Sequence, residues 1–167
     1  AALGEAAGTD GVALIAEVKR ASPSAGSIAA DADPVAQARA YDAAGASVVS
    51  VLTEPMHFGG SLDDLRAVRA AVDLPVLRKD FLIDTNQVLQ ARAAGADTVL
   101  LIAASVDDEA LAVLLAAARD LGMEPLVESH TDEDLDRVLA TDARIVGVNA
   151  RDLESLEVDV AGALERT

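Results

Sequence analysis

Short apolar runs of strand length alternate with helical segments along the chain, and this alternation is the strongest constraint on its fold. Each run is apolar over most of its length, and each is followed by a turn and a candidate helix. Strands of this kind pair in parallel, with both faces of the sheet covered. The sequence therefore predicts an α/β fold with six parallel strands, over residues 12–19, 47–54, 75–81, 97–105, 125–129 and 144–150.

A flavodoxin-like open sheet and a (β/α)8 TIM barrel both fit this pattern. The barrel is favoured because the strands are evenly spaced, no glycine-rich phosphate loop follows the first strand, and polar residues end several strands. The stretches AAGASVVSVLTE and AAGADTVLLIAA also lie 50 residues apart, so two βα units form one larger period. We predict that residues 1–167 form a single partial TIM-barrel domain with about six of the eight βα units, and we expect a fragment.

The predicted helices begin and end at recognisable residues. Asp33 precedes a proline, while Asp107 and Thr131 precede carboxylates, which the helix dipole favours in a first turn. A glycine follows each of three predicted helices, as is usual where a helix ends in the left-handed conformation: Gly45, Gly95 and Gly122.

The charge of the chain excludes several classes of partner. Lys and Arg number 13 against 29 Asp and Glu, a formal net charge of −16 that repels nucleic acids and anionic membranes. The apolar run ALAVLLAAA is much shorter than the roughly 20 residues that span a bilayer, and no secretory signal is visible. Cysteine is absent, which fits a reducing compartment. We expect a cytoplasmic protein that binds neither nucleic acid nor membrane.

Charged and amide side chains stand at the carboxyl ends of several predicted strands. Alternation places Glu17 with Lys19 on one strand face, and it aims Lys79, Glu128 and Asn149 at the same end of the barrel. Active sites of barrels lie at this end. A structural ion pair is the alternative for Lys79 alone, but several charges together favour function. A lysine beside carboxylates keeps its proton, so we expect Lys79 to be an acid and Glu128 a base.

Two loops and two histidines complete the set of candidates. The stretch SPSAG, residues 22–26, offers hydroxyl and backbone N–H groups to an anion, or it is only a turn. The stretch HFGGS, residues 57–61, is either a mobile loop over a site or a plain connection before a helix capped by Ser61. No ligand spacing surrounds His57 or His130, so we predict no metal site.

Six strand-end motifs resemble, in order and spacing, those of indole-3-glycerol phosphate synthase. The motifs are LIAEVKRASPSAG, VLTEPMHFGGS, LPVLRKDFLID, AGADTVLLIAA, EPLVESH and GVNARDLESLEVD, and they cover about residues 12–160. The resemblance implies a (β/α)8 carboxy-lyase of tryptophan biosynthesis. Such an enzyme closes the pyrrole ring of indole from a carboxyphenylamino-deoxyribulose phosphate, releases carbon dioxide and water, and needs no cofactor.

The resemblance also implies roles for particular residues. Lys79 is similar to the general acid and Glu128 to the general base, while Glu17 and Lys19 resemble the pair that binds and helps turn over the substrate. Further substrate contacts are implied at Ser22, Arg151 and Asn149, and an apolar wall for the anthranilate ring at Phe58, Phe81, Leu101 and Leu153. One departure is Ala25, where the family commonly has a basic residue.

Two other functions remain open at this point. The chain would be a catalytically incompetent partial barrel or an assembly module if its open sheet edges recruit other chains. It would be a related sugar-phosphate barrel isomerase if it used an acidic pair, against which the combination of Lys79 and Glu128 argues. As a synthase its partner is a small phosphorylated substrate, and the complete barrel is expected to be a monomer.

Overall fold

Six strands of the protein form one sheet in which they follow one another in chain order. The computed structural model describes residues 11–22, 26–28, 32–151 and 157–166. The sheet strands are β1 (Ile15–Val18), β4 (Val48–Leu52), β5 (Val76–Lys79), β6 (Thr98–Ile102), β7 (Leu126–Ser129) and β8 (Ile145–Val148). Two short strands, β2 (Ala21–Ser22) and β3 (Gly26–Ser27), form an antiparallel hairpin. The six predicted strands are confirmed, each shorter than the predicted range.

Helices follow these strands, and several of them begin where the sequence predicts. They are α1 (Pro34–Ala43), α2 (Leu62–Ala71), α3 (Thr85–Ala93), α4 (Asp108–Asp120), α5 (Asp132–Leu139) and α6 (Val160–Glu165), with a 3-10 turn at Ala103–Ser105. Asp33, Asp107 and Thr131 are N-caps, as predicted. The three glycines predicted to end helices have φ angles of 86°, 96° and 75°.

The sequential strand order decides between the two folds that the sequence leaves open. In a doubly wound sheet the strand order reverses partway along the chain. Here the order has no reversal, and every sheet pair whose register is described is parallel. The flavodoxin-like alternative is therefore excluded.

The chain divides into two compact units. The first comprises Ala1–Asp80 and Gln90–Thr98, and the second comprises Phe81–Leu89 and Val99–Thr167. In the first unit β1 pairs with β4 and β4 with β5. In the second unit residues 100–102 of β6 pair with β7, and β7 pairs with β8.

Each unit buries aliphatic side chains from its strands and helices. The first contains Val49, Val51, Leu65, Val68 and Val76, all fully buried, and the second contains Leu101, Leu111, Leu114, Val127 and Val138, which are at most 2% exposed. Full burial of a Val or Leu side chain stabilises a protein by about 1.5–3 kcal/mol relative to exposure. These contacts hold the strands in the registers that position the polar side chains at their ends.

Arg78 accounts for one of the charges at the end of β5, and it is structural. Its side chain is 5% exposed, and alternation places it on the strand face opposite Lys79. Arg78 donates hydrogen bonds to Thr53 Oγ1 at 3.0 Å and to Asp80 Oδ2 at 2.9 Å, and the Thr53 hydroxyl donates to Asp80. The Arg-Lys-Asp sequence thus sends one cation to each face of the sheet.

We expect the substitution Arg78→Met to lower the free energy of unfolding by roughly 3–5 kcal/mol, because it leaves the largely buried carboxylate of Asp80 without this cation. Chemical denaturation of the chain measures this loss. Arg66→Met is the matched control, since Arg66 pairs with Asp63 at the surface, where an ion pair contributes about 0–1 kcal/mol. Equal effects of the two substitutions would show that the Arg78 cluster adds nothing to stability.

Candidate active site

Glu17 lies between two ammonium groups in the first unit. Its Oε1 is 2.6 Å from Lys19 Nζ, and its Oε2 is 2.8 Å from Lys79 Nζ. The register aligns Glu17 with Ser50 and Ser50 with Leu77, so Lys79, two residues beyond Leu77, belongs to the face of Glu17. The structure therefore brings Glu17, Lys19 and Lys79 together at the carboxyl ends of β1 and β5.

These contacts lower the pKa of Glu17. Burial alone would raise that pKa, but the charge of Lys79 and the hydrogen bonds from Lys19 and Lys79 outweigh it. The carboxylate is therefore ionised at neutral pH and gives both ammonium groups a counterion. A lysine held in this way is positioned to donate a proton to a reacting oxygen.

Glu54 fixes the loop that follows β4. Its carboxylate accepts hydrogen bonds from the backbone N–H groups of Met56 at 2.8 Å, His57 at 2.7 Å and Phe58 at 3.2 Å. Its carbonyl accepts another from the N–H of Gly60 at 2.9 Å. Burial alone would raise the pKa of Glu54, but the three carboxylate contacts lower it. Of the two alternatives for HFGGS, a fixed connection to the N-cap of α2 is the one that the contacts support.

Arg20 joins this loop to the end of β1. Its guanidinium forms two hydrogen bonds with the carboxylate of Asp64, at 2.6 and 2.8 Å, and a third with the carbonyl of Gly59 at 3.1 Å. The hydrogen bonds from Arg20 lower the pKa of Asp64 despite its partial burial. Phe58 lines a small crevice together with Lys19 and Arg20. The predicted aromatic wall residue therefore lies beside a predicted charged one.

Glu128 is the centre of a second cluster, in the second unit. Asn149 Nδ2 donates a hydrogen bond to Glu128 Oε1 at 3.0 Å, and His130 Nε2 lies 3.1 Å from the same oxygen. The register aligns Glu128 with Gly147, so Asn149 continues the face of β8 that carries this position. The structure therefore brings the predicted base and the predicted amide together at the carboxyl ends of β7 and β8.

The amide of Asn149 is engaged at both of its ends. While Nδ2 donates to Glu128, Oδ1 accepts a hydrogen bond from the backbone N–H of Arg151 at 2.9 Å. Arg151 in turn forms an isolated antiparallel bridge with Val158. Asn149 thus orients Glu128 and the start of the following segment, and its contact with a substrate hydroxyl stays a prediction.

The remaining predicted substrate contacts differ in accessibility. Phe81 is 43% exposed, whereas Phe58 and Ser22 are half-buried, with Ser22 in the hairpin strand β2. Leu153 lies outside the described residues. The exposed ring of Phe81 and the partly exposed ring of Phe58 are both accessible to a ligand.

The assignment of Leu101 to the apolar wall is wrong. Leu101 is aligned with Val127, whereas Glu128 is aligned with Ile102. Aligned residues share a face and successive residues alternate, so Leu101 lies on the face opposite Glu128, where it is fully buried. Leu100 and Ile102 are the β6 residues on the face of Glu128. An error of one residue reverses the face, and a continuous apolar strand gives no alternation that would reveal it.

Three contributors to these clusters were missed in the sequence: Arg20, Glu54 and the contact of His130 with Glu128. Arg20 follows Lys19 directly, and His130 lies two residues beyond Glu128. Glu54 is the last residue of the predicted strand 47–54. Position alone gives no indication of a partner that is distant in sequence, such as Asp64 for Arg20. The spacing of two residues between Glu128 and His130 is the one available signal.

Comparisons with known proteins agree with these motifs. The family model described as indole-3-glycerol phosphate synthase matches residues 2–165. Several proteins named indole-3-glycerol phosphate synthase are similar to the chain. The protein of Kineococcus radiotolerans is 60% identical over 151 residues. These residues make up 90% of this chain and 55% of the relative. That of Mycobacterium avium is 58% identical over 149 residues, 89% of this chain and 55% of the relative.

Solved structures of mandelate oxidase share the fold. One has a TM-score of 0.61 at 17% identity and covers 88% of this chain and 59% of its own. A second structure, with benzoyl-formic acid, has a TM-score of 0.59 at 18% identity. The match covers 88% of this chain and 58% of the mandelate oxidase chain. A likeness at this identity shows the fold alone.

The match to the family model covers nearly the whole chain, although the chain spans only about 55% of the length of the curated relatives. The matched part contains both polar clusters and the six consecutive parallel strands of a partial (β/α)8 barrel. The chain belongs to the indole-3-glycerol phosphate synthase family.

Proposed function

We propose that the protein of which this chain is part closes the pyrrole ring of indole. The substrate is 1-(2-carboxyphenylamino)-1-deoxyribulose 5-phosphate, and the products are indole-3-glycerol phosphate, carbon dioxide and water. The observation that carries the proposal is the placement of Lys79, Glu17 and Lys19 in one ion-paired cluster at strand carboxyl ends. That cluster supplies an acid for a reaction that must protonate a carbonyl oxygen.

Lys79 is proposed as the general acid. The aromatic carbon that bears the carboxylate attacks the ketone carbon, and the ketone oxygen takes a proton from the ammonium group as the carbon–carbon bond forms. Carbon dioxide then leaves, and its bonding electrons restore the aromatic ring. Glu17 supports this step because its carboxylate lies 2.8 Å from Lys79 Nζ and fixes the direction of the ammonium.

Glu128 is proposed as the general base. After decarboxylation the new hydroxyl group takes a second proton, from the ammonium group of Lys19, and leaves as water. A proton is then lost from the ring that forms. A carboxylate with a side chain 14% exposed can accept that proton, provided its orientation is fixed. The hydrogen bond from Asn149 to Oε1 provides this orientation.

The other proposed contacts divide by chemistry. Lys19, Ser22 and Arg151 are suited to the anionic groups of the substrate, and Phe58, Phe81 and Leu153 to its ring. The chain carries a net charge of −16, so local cations are needed to attract an anion. Lys19 and Lys79, which both contact Glu17, are two of the 13 Lys and Arg residues of the chain.

The proposed setting of the protein is the cytoplasm, with a small phosphorylated molecule as its partner. No cofactor, nucleic acid or membrane is required for the reaction. Among the helices in the described ranges, none has both the length and the hydropathy needed to cross a bilayer. We propose that the complete protein is a monomer, and that open sheet edges permit self-association when only the six strands are present.

The substitution Lys79→Met tests the acid. It is made in an extended chain, in which the parts of the Kineococcus radiotolerans relative that this chain does not cover are added. We expect the turnover number to fall by roughly a hundred to ten thousand, because a methionine cannot supply the proton. Fluorescence of indole-3-glycerol phosphate measures the turnover.

Arg66→Met is the matched control, since it removes a cation from the surface of α2. Circular dichroism must show the same fold in both variants. Near-normal turnover of Lys79→Met would leave Lys79 a structural residue and favour an isomerase that uses carboxylates. No turnover of the unsubstituted extended chain would refute the proposed reaction.

The lowered pKa of Glu17 predicts a pH dependence of stability. A carboxyl group whose pKa is lower in the folded than in the unfolded chain stabilises the fold above the unfolded value, and this contribution is lost as the pH falls through the folded value. We therefore expect the stability difference between the parent and Glu17→Gln to shrink on acidification. Urea unfolding of both chains from neutral to acidic pH measures it, and a difference that grows in acid would contradict the account.

A further inference from the structure

His130 is a buried histidine beside the proposed base. Its side chain is 4% exposed, and Nε2 lies 3.1 Å from Glu128 Oε1. Despite that distance, neither ring nitrogen has an aligned hydrogen-bond partner among the residues that the structure describes. The distance between Nε2 and Oε1 is therefore short enough for a hydrogen bond, but the orientation of the ring does not align the two groups.

The backbone of His130 is held on both sides. Its N–H donates to Asp134 Oδ2 at 3.3 Å, and its carbonyl accepts from Arg166 Nη1 at 3.0 Å. Asp134 also completes the capping box of α5 with Thr131, so it is itself fixed. With the backbone restrained, rotation about the side-chain bonds is the freedom that the imidazole retains.

Two polar nitrogens in a buried ring need an explanation. A buried polar group without a partner destabilises the fold, so such groups are rare and often mark functional sites. Hydrogen bonds of catalytic groups are also often poorly aligned without substrate and tighten when it binds. Glu128 Oε1 is an acceptor within reach of Nε2, and Asn149 already donates to the same oxygen.

We propose that His130 is a positioning residue that donates a hydrogen bond from Nε2–H to Glu128 Oε1 and, together with Asn149, fixes the orientation of that carboxylate. The inference rests on the proposed role of Glu128 as the base. Two donors on one oxygen restrict rotation of the carboxylate and favour its ionised form. His130 itself gives up no proton in this role.

Within the described part of the chain, three charged groups contact His130. Glu128 is on β7, the strand that His130 follows, Asp134 lies in the first turn of α5, and Arg166 follows α6. Asp134 and Arg166 contact the backbone of His130, so Glu128 is the carboxylate that its ring addresses. Substitution of the ring is therefore expected to change the titration of Glu128.

The tautomer of His130 is the first test and requires no substitution. The chain contains two histidines, and His57 has a side chain that is 62% exposed, so their nitrogen resonances are distinguishable by NMR. A proton on Nε2 of His130, exchanging slowly with water, is the expected result. A neutral ring that carries its proton on Nδ1 would overturn the proposal, because Nε2 could not then donate.

The titration of Glu128 is the second test, followed by the side-chain carboxyl resonance of glutamate labelled with carbon-13. In His130→Phe, which keeps a ring but lacks the donor, we expect the midpoint to rise by roughly one pH unit. His130→Gln restores an N–H donor and is expected to return the midpoint toward that of the parent. His57→Phe is the matched control and is expected to leave it unchanged.

If His130 had a purely structural role, both His130 variants would be less stable than the parent. The midpoint of the Glu128 titration would then be the same in His130→Phe and in His130→Gln. Equal midpoints in the parent and His130→Phe would overturn the proposal. If His130→Phe does not fold, the tautomer of His130 in the parent decides it. These measurements do not depend on turnover. Absence of synthase activity in the unsubstituted extended chain would therefore refute the proposed function but not the hydrogen bond between His130 and Glu128.

Discussion

The parallel alignment of short strands is the constraint on which the polar clusters depend. In this alignment, residues two positions apart on one strand and aligned residues on its neighbour share a face. Glu17 and Lys79 come from strands that are not adjacent in the sheet, yet the register through β4 places both on one face. Their ion pair then gives Glu17 a charge that burial alone would disfavour. The fold thus brings the proposed acid and its counterion together.

The second unit follows the same rule with different chemistry. Glu128 accepts a hydrogen bond from the amide of Asn149 and is approached by the imidazole of His130. A base needs a fixed orientation, whereas an acid needs a counterion beside its charged form. The contrast between the two clusters fits the two halves of the proposed reaction.

Much of this was accessible from the sequence because the signals are local. Apolar strand segments, caps such as Asp33 and Thr131, and the charged ends of β1, β5 and β7 each depend on a few neighbouring residues. The contacts that the sequence did not reveal depend on register or on distant partners. Leu101 was placed on the wrong face because a wholly apolar strand has no alternation. The hydrogen bond of Arg78 to Thr53 joins residues 25 positions apart, and no local signal in the sequence indicates it.

The central claim is that Glu17 acts on the reaction through Lys79. It is tested most directly by the kcat/KM of the extended chain with Glu17→Gln, with Lys79→Met and with both substitutions. The account predicts that Glu17→Gln slows the reaction when Lys79 is present and has little further effect once Lys79 is replaced. Losses that simply multiply in the double variant would show that the two residues act independently and would contradict it.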